Sequence, residues 1–134
     1  QVGLGSVHGL AQPLGSFFPI PHGVACGTTV AAATAVNITA LRERQPASPA
    51  LEKYAQLGRL FAESPEMRDN EACDALVESL HTWTRRLAIP RLGEFGVTTE
   101  DVPRIVANSR GNSMKTNPVQ LSDEEIGRIV SERL

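Results

Sequence analysis

The sequence predicts an all-α fold of about six helices. Apolar residues recur every three or four positions in several segments, as they do along the buried face of a helix. Residues that favour helix starts precede these segments, and proline or polar loops separate them. No segment shows the apolar–polar alternation of a half-buried strand. With 134 residues, the chain is long enough for one domain with one hydrophobic core.

The first two predicted helices flank a proline-rich corner. Residues 3–17 are small and apolar, and Pro13 should kink or end a helix there, because proline lacks a backbone donor and clashes with the preceding turn. Pro19 and Pro21 form the corner itself. The apolar segment 23–44 follows, and it is too long for an ordinary strand, so we expect a buried helix. Polar residues interrupt this segment and argue against a membrane span, namely Thr28, Thr29, Thr34, Asn37 and Thr39.

Two amphipathic helices are predicted in the middle of the chain. Ser48 can cap the first, with Pro49 at its first position. Its apolar face comprises Leu51, Tyr54, Leu57, Leu60 and Phe61. Asp69 can cap the second, whose apolar face comprises Ala72, Leu76, Leu80, Trp83 and Leu87. We expect Leu80 and Trp83 to lie in the core.

The C-terminal part of the sequence predicts two further helices. A short connector at residues 92–97 leads to a helix that Thr98 or Thr99 opens. Residues 111–119 are polar and predicted to be irregular. The last helix opens at residues 122–125, where Ser-Asp-Glu-Glu forms a capping box with acidic side chains at the favoured end of the helix dipole. Its buried face would hold Ile126, Ile129 and Val130.

Two histidines fourteen positions apart are the strongest functional candidates. His8 lies in the first small-residue segment, and His22 stands between Pro21 and Gly23 at the start of the next helix. Imidazole binds iron, zinc, copper and nickel well, so the pair indicates half of a metal site. A stable site needs further ligands, and the rest of the chain offers no obvious third one. From these residues alone, histidines that are merely packed in the core are the competing interpretation.

Charge and cysteine content limit the partners and the compartment. The formal net charge is −2 with both signs mixed along the chain, which argues against nucleic-acid and membrane-surface partners. Cys26 and Cys73 are too few for a disulfide framework and lie in apolar stretches, so we expect buried free thiols in a reducing compartment. No signal-peptide pattern is found. We therefore expect a cytoplasmic protein.

Four motifs occur in an order that matches a known family. The first is Gly3-Leu4-Gly5-Ser6-Val7-His8-Gly9-Leu10-Ala11 with Pro13-Leu14-Gly15, and the second is Pro21-His22-Gly23-Val24-Ala25. The third is Leu92-Gly93-Glu94-Phe95-Gly96-Val97 with Glu100-Asp101, and the fourth is Asn117-Pro118 before Leu121-Ser122-Asp123-Glu124-Glu125-Ile126. With these motifs the chain resembles the C-terminal helical domain of the iron-containing (group III) alcohol dehydrogenases.

The resemblance implies a two-domain, dehydroquinate-synthase-like oxidoreductase, of which residues 1–134 are the helical metal-binding C-terminal domain. A separate N-terminal nucleotide-binding domain would hold NAD(P), and a divalent iron, or zinc in its place, would lie in the cleft between the domains. His8 and His22 match the last two metal ligands of the family, while an Asp and another His would lie upstream. Because the chain opens at Gln1 and runs directly into the first motif, we expect a fragment of a longer protein, and we expect that protein to be a homo-oligomer.

The implied activity is metal-assisted hydride transfer between a small alcohol and its aldehyde or ketone, with NAD(P) as the hydride carrier. This chain would contribute the metal ligands His8 and His22 to the implied site. We identify no cofactor-binding residue in the chain. The chain alone would be inactive. The alternative is a non-catalytic, stand-alone helical interaction module in which the two histidines are relics.

Gln12 marks a departure from the family. Many members carry a histidine four residues after the first of the two ligands, where it lies near the nicotinamide and is a candidate proton relay. Gln12 occupies that position here, one helical turn after His8 and on the same side of the helix. The amide can donate and accept hydrogen bonds but cannot titrate. We therefore name Gln12 as the catalytic candidate near the nicotinamide.

Other side chains near the motifs have less specific interpretations. Cys26 follows His22 by one helical turn, but the family uses oxygen and nitrogen ligands, so we expect a bystander. Phe17 and Phe18 on the corner could line a substrate pocket or pack in the core. His81 has no counterpart in the motifs and is expected to be structural or at the surface.

Overall fold

The computed structural model describes residues 4–134, which form seven α-helices and two 3-10 turns, with no strand in that range. The four long helices are α1 (Leu4–Phe17), α2 (His22–Arg44), α3 (Pro49–Ala62) and α4 (Asp69–Arg86). The 3-10 turns Leu92–Phe95 and Thr99–Asp101 precede α5 (Val102–Ala107), α6 (Asn112–Lys115) and α7 (Asp123–Ser131). The predicted all-α class is confirmed. The additional helix is α6, a single turn within the segment predicted to be irregular.

The central element is α2, which contacts α1, α3, α4 and α7. Its small side chains are buried along much of its length, so neighbouring helices can approach it from several sides. The buried Thr29 hydroxyl donates a hydrogen bond to the Ala25 carbonyl at 2.8 Å, which satisfies the hydroxyl within the helix. By length and composition α2 could cross a membrane, but 61% of the qualifying window is buried inside the fold. That degree of burial is typical of a core helix.

Pro13 does not end the first helix, so of the two predicted outcomes, a kink or an end, the end is excluded. The helix α1 continues four residues beyond Pro13, to Phe17. Pro13 is itself buried, and Leu10 and Leu14 beside it are completely buried. Losing one intrahelical hydrogen bond at a proline costs about 3 kcal/mol, and burial of two leucine side chains offsets a cost of that size.

The predicted apolar faces of α3 and α4 are buried only in part. Trp83 is 48% exposed and Leu87 is 71% exposed, so the expectation that Trp83 lies in the core was wrong. Leu80 is only partly buried. On α3, Leu57, Leu60 and Phe61 are exposed as well. Small residues are buried on both helices, including Ala50, Ala55, Gly58 and Ala72, and the rings of Phe61 and Trp83 contact each other with centroids 5.0 Å apart.

Local hydrogen bonds at the helix starts agree with most of the sequence predictions. The Ser48 hydroxyl accepts a hydrogen bond from the Ala50 backbone N–H at 3.2 Å, with Pro49 at the first helical position, as predicted. The capping box of α7 is confirmed by reciprocal bonds between Ser122 and Glu125 at 2.8 and 3.2 Å. Asp69 is not the cap of α4. It is the first helical residue and forms an ion pair with Arg59 of α3.

Candidate metal centre

The corner between α1 and α2 fixes the position of His22. The Phe18 N–H donates to the Leu14 carbonyl at 3.1 Å and the Ile20 N–H donates to the Phe18 carbonyl at 2.8 Å, so the chain turns directly after α1. Ile20 is buried and anchors the turn. Pro21 then precedes α2 in an extended conformation, and its carbonyl accepts the first helical hydrogen bond, from Ala25 at 3.0 Å. His22 is therefore the first residue of α2.

The structure brings the two predicted ligands together. The imidazole of His8 on α1 and that of His22 on α2 have ring centroids 5.6 Å apart, with the ring planes tilted by 38°. The side chain of His22 is exposed at the surface. Two imidazoles from packed neighbouring helices thus converge at an accessible position.

The helix that carries His8 is held in place by Asn117. The Asn117 side-chain carbonyl accepts a hydrogen bond from the backbone N–H of Ser6 at 3.0 Å, in the first turn of α1. Gly5 makes this approach possible, because a Cβ atom there would lie 2.4 Å from the Asn117 backbone nitrogen. Asn117 in turn donates a hydrogen bond to the side-chain carbonyl of Asn37 on α2 at 2.8 Å. One side chain therefore links the two helices that bear the histidines.

This role of Asn117 was not predicted from the sequence, in which Asn117-Pro118 is part of a motif. The network continues from Asn37, whose amide donates to the Tyr54 hydroxyl at 3.3 Å. Burial raises the pKa of Tyr54 to about 12, although the hydrogen bond from Asn37 acts in the opposite direction. Tyr54 therefore remains neutral at physiological pH and acts as a structural acceptor.

Cys26 lies closer to the histidines than the sequence suggested. Its sulfur is 3.5 Å from Nε2 of His22, one helical turn earlier. The potential ligand atoms of His8, His22 and Cys26 all lie within 4.8 Å of one another. Cys73 is buried as predicted, but Cys26 is only partly buried, so that part of the prediction was wrong. Burial raises the pKa of the Cys26 thiol above its usual range.

The aromatic residues of the corner contact the guanidinium group of Arg104, which was not predicted from the sequence. The guanidinium carbon of Arg104, on α5, lies 4.3 Å from the ring centroid of Phe17 and 5.8 Å from that of Phe18. Phe18 also packs against the core, whereas Phe17 is exposed on one side. The two rings therefore contribute both to core packing and to a cation–π contact. No sequence pattern connects residue 104 with the corner, because the contact is purely tertiary.

The remaining candidates lie outside the group of potential ligands. Gln12 is exposed on α1, one turn after His8, and its amide oxygen lies near Gly111. Its assignment near the nicotinamide stays a prediction. His81 has its Nε2 atom 4.0 Å from a carboxylate oxygen of Glu132, which is compatible with the structural or surface role expected for it.

The donor set fits a transition-metal ion. Two imidazole nitrogens converge from different helices, and such donors suit iron and zinc alike. Within residues 4–134, the group that could hold an ion consists of His8, His22 and Cys26. Two histidines leave coordination positions open, as a catalytic site requires for water or substrate.

A family model matches the whole chain. The model is described as "Fe-containing alcohol dehydrogenase family, C-terminal", and it matches residues 1–134. The chain belongs to this family. Lactaldehyde reductase of Escherichia coli is 37% identical over 107 residues, which cover 78% of this chain and 26% of that protein. Alcohol dehydrogenase 4 of Saccharomyces cerevisiae is 33% identical over 130 residues, which cover 95% of this chain and 31% of that protein.

Two solved structures share the fold of this chain. A crystal structure of 1,3-propanediol oxidoreductase superimposes with a TM-score of 0.81 at 23% identity. The matched region covers 96% of this chain and 32% of that protein. An alcohol dehydrogenase from Oenococcus oeni gives a TM-score of 0.79 at 24% identity, with the same coverage of both chains. The chain therefore spans about a third of the length of the proteins that it resembles.

Proposed function

We propose that this chain is the metal-binding helical part of an NAD(P)-dependent, iron-containing alcohol dehydrogenase that interconverts small alcohols and their aldehydes or ketones. The observation that carries the proposal is the convergence of His8 and His22, whose rings lie 5.6 Å apart on packed helices of a family member. The names of the relatives, lactaldehyde reductase and alcohol dehydrogenase 4, support the reaction class.

The residues of this chain would bind and orient rather than transfer hydride. His8 and His22 would supply two nitrogen ligands, held at a fixed separation by the proline corner and by Asn117. When bound, a divalent iron or zinc acts as a Lewis acid toward the substrate oxygen, and the nicotinamide carries the hydride. Gln12 would face the same region and could hold a substrate or water by hydrogen bonds, without exchanging a proton itself.

The rest of the site would come from outside this chain. The relatives are about three times as long as this chain, so they are long enough to contain the nucleotide-binding domain that the family resemblance implies. We propose that this domain is the intramolecular partner, that it binds NAD(P) and that it supplies the remaining metal ligands. Homo-oligomer formation stays a prediction of the sequence. A cytoplasmic location is also proposed, and the two free thiols support it.

Metal binding by the purified chain tests the role of the histidine pair. We expect weak binding of one Zn²⁺ or Fe²⁺ ion per chain, measured by calorimetry, because two imidazoles are an incomplete ligand set. His8→Ala and His22→Ala should each weaken binding at least about tenfold, because loss of a direct ligand should cost no less than loss of an outer-shell partner. In a longer protein that contains this chain, the same substitutions should abolish NAD(P)H oxidation with short aldehydes.

The control variant is His81→Ala, which removes an imidazole outside the group of potential ligands. Its metal affinity should equal that of the unmodified chain. If all three alanine variants bound metal equally well, the histidine pair would not be the site. The alternative of a stand-alone helical interaction module would then be favoured.

A further inference from the structure

We propose that the Cys26 thiolate is a third protein ligand of the metal ion at His8 and His22, and that it makes this site prefer zinc to iron. The inference rests on the proposed function in one respect, because it takes the two histidines as ligands. It departs from the oxygen and nitrogen ligands implied by the resemblance to the family.

The separation of Cys26 and His22 fits coordination of one ion. In a tetrahedral zinc site, metal–sulfur and metal–nitrogen bonds of about 2.3 and 2.1 Å place the two ligand atoms about 3.6 Å apart. The Cys26 sulfur and the Nε2 atom of His22 are 3.5 Å apart. The sulfur and the nitrogen could therefore bind the same ion in nearly their present positions.

The arrangement follows from the helix itself. His22 and Cys26 are four residues apart on α2, so their side chains project from the same face on successive turns. His8 approaches from α1, and all three ligand atoms lie within 4.8 Å of one another.

The chemistry of the donors determines the metal preference. A thiolate is a soft ligand that favours zinc, whereas iron sites of enzymes that bind oxygen substrates more often use nitrogen and carboxylate ligands. On binding, the Cys26 S–H bond is replaced by a sulfur–metal bond and the proton is released to solvent. In the 134-residue chain by itself, two nitrogens and one sulfur would leave one position of a tetrahedral ion for water.

Cobalt spectroscopy distinguishes sulfur coordination from a simple thiol–imidazole hydrogen bond. Co²⁺ is added to the 134-residue chain, and we expect intense thiolate-to-cobalt charge-transfer absorption in the near ultraviolet. Cys26→Ser should lose this absorption, because serine keeps a hydrogen-bonding group but has no sulfur. Cys73→Ser should retain it, because the sulfur of Cys73 instead contacts the Leu51 carbonyl, at 3.6 Å.

Competition with a chromophoric chelator gives the second measurement. Cys26→Ser should weaken Zn²⁺ binding at least tenfold and Fe²⁺ binding less, while Cys73→Ser changes neither. Circular dichroism of each variant confirms that the helices remain folded. A parallel alkylation assay needs no cobalt, and bound Zn²⁺ should slow the reaction of Cys26 with iodoacetamide.

The outcomes separate this inference from the proposed function. If Co²⁺ binds without charge-transfer absorption, and His8→Ala and His22→Ala weaken its binding, the Cys26 ligand is overturned while the histidine site stands. If neither Co²⁺ nor Zn²⁺ binds to the chain, the Cys26 ligand is overturned, whereas the histidine site is decided separately by His8→Ala and His22→Ala in a longer protein that contains this chain. Equal Zn²⁺ affinities for Cys26→Ser and Cys73→Ser would also overturn the Cys26 ligand.

Discussion

Asn117 connects three segments that lie far apart in the sequence. It accepts a hydrogen bond from Ser6 at the start of α1, exchanges hydrogen bonds with Asn37 on α2, and donates one to the Val119 carbonyl at 2.7 Å. A short side chain with both donors and acceptors can satisfy all these groups, and aspartate or leucine could not. The position of the His8 helix therefore depends on a residue more than a hundred positions away.

Replacement of Asn117 by alanine should lower the free energy of unfolding by about 2–3 kcal/mol, because it leaves partly buried donors and acceptors without partners. Urea denaturation measures this change. Asn108→Ala is the matched control, because the exposed Asn108 amide bonds only within its own helix, to the Arg104 carbonyl at 2.8 Å. Equal losses of stability in the two variants would contradict the bridging role of Asn117.

The contact between α3 and α4 depends on small side chains. A Cβ atom at Gly58 would lie 1.7 Å from the backbone oxygen of Ala72, so the two helices can approach this closely only because residue 58 has no side chain. Hydrophobic periodicity could not reveal this contact. It marked large apolar residues that are largely exposed, such as Leu60, and Trp83, whose ring contacts Phe61 of α3 with centroids 5.0 Å apart.

Gly58→Ala should destabilise the chain by about 3 kcal/mol or more. The added methyl group would clash with the backbone of Ala72, which cannot move aside as a flexible side chain can. The better helix propensity of alanine, about 1 kcal/mol, does not offset this. Thermal denaturation provides the measurement. Gly23→Ala is the control, because a Cβ there meets nothing within 4 Å, and its stability should be unchanged or slightly higher. A Gly58→Ala protein as stable as the Gly23→Ala protein would refute the close approach.

The start of α7 should confer a pH-dependent stability. Burial acts to raise the pKa of Glu125, but hydrogen bonds from Arg44 and from the Ser122 backbone outweigh it and lower the pKa. A carboxyl group whose pKa is lower in the folded state stabilises the fold above its unfolded pKa, about 4.3 for glutamate. That stabilisation is lost as the pH falls through the lower folded value.

Glu125→Gln should therefore be less stable than the unmodified chain between about pH 6 and 8, and the difference should shrink below about pH 4. Denaturant titrations across this range would detect it. Glu124→Gln removes an exposed acidic side chain from the same helical turn and should have a smaller effect at neutral pH. A stability difference for Glu125→Gln that is constant down to pH 3 would show that the ionised carboxylate contributes nothing.

The chain as a whole should not oxidise alcohols by itself. Its described part offers two histidines and one cysteine as a metal-binding group, and the sequence contains no glycine-rich phosphate-binding loop of the kind that nucleotide domains use. We expect no NAD(P)H turnover above background with short aldehydes and added Fe²⁺ or Zn²⁺, measured at 340 nm, the absorption band of the reduced nicotinamide. The control is a longer protein that contains this chain, assayed under the same conditions. Turnover by the purified 134-residue chain would contradict the prediction.

The helices, most of their starting residues and the family could be predicted from the sequence because these depend on local patterns. Ser48 and Ser122 cap helices through atoms within three residues, so local spacing is sufficient. The histidine motifs likewise indicated a candidate metal site, which stays a prediction. Asn117 and Arg104 escaped prediction, because their partners at Ser6 and Phe17 are close only in three dimensions.

The sequence by itself determined where helices form and which two histidines are candidate ligands. The tertiary structure decided which surfaces are buried, because burial depends on the neighbour that covers a surface and not on the surface alone. For this reason Pro13 lies inside a continuous helix while Trp83 is exposed. The packing of α1 on α2 likewise brings His8 close to His22 and Cys26, and no local pattern specifies that distance.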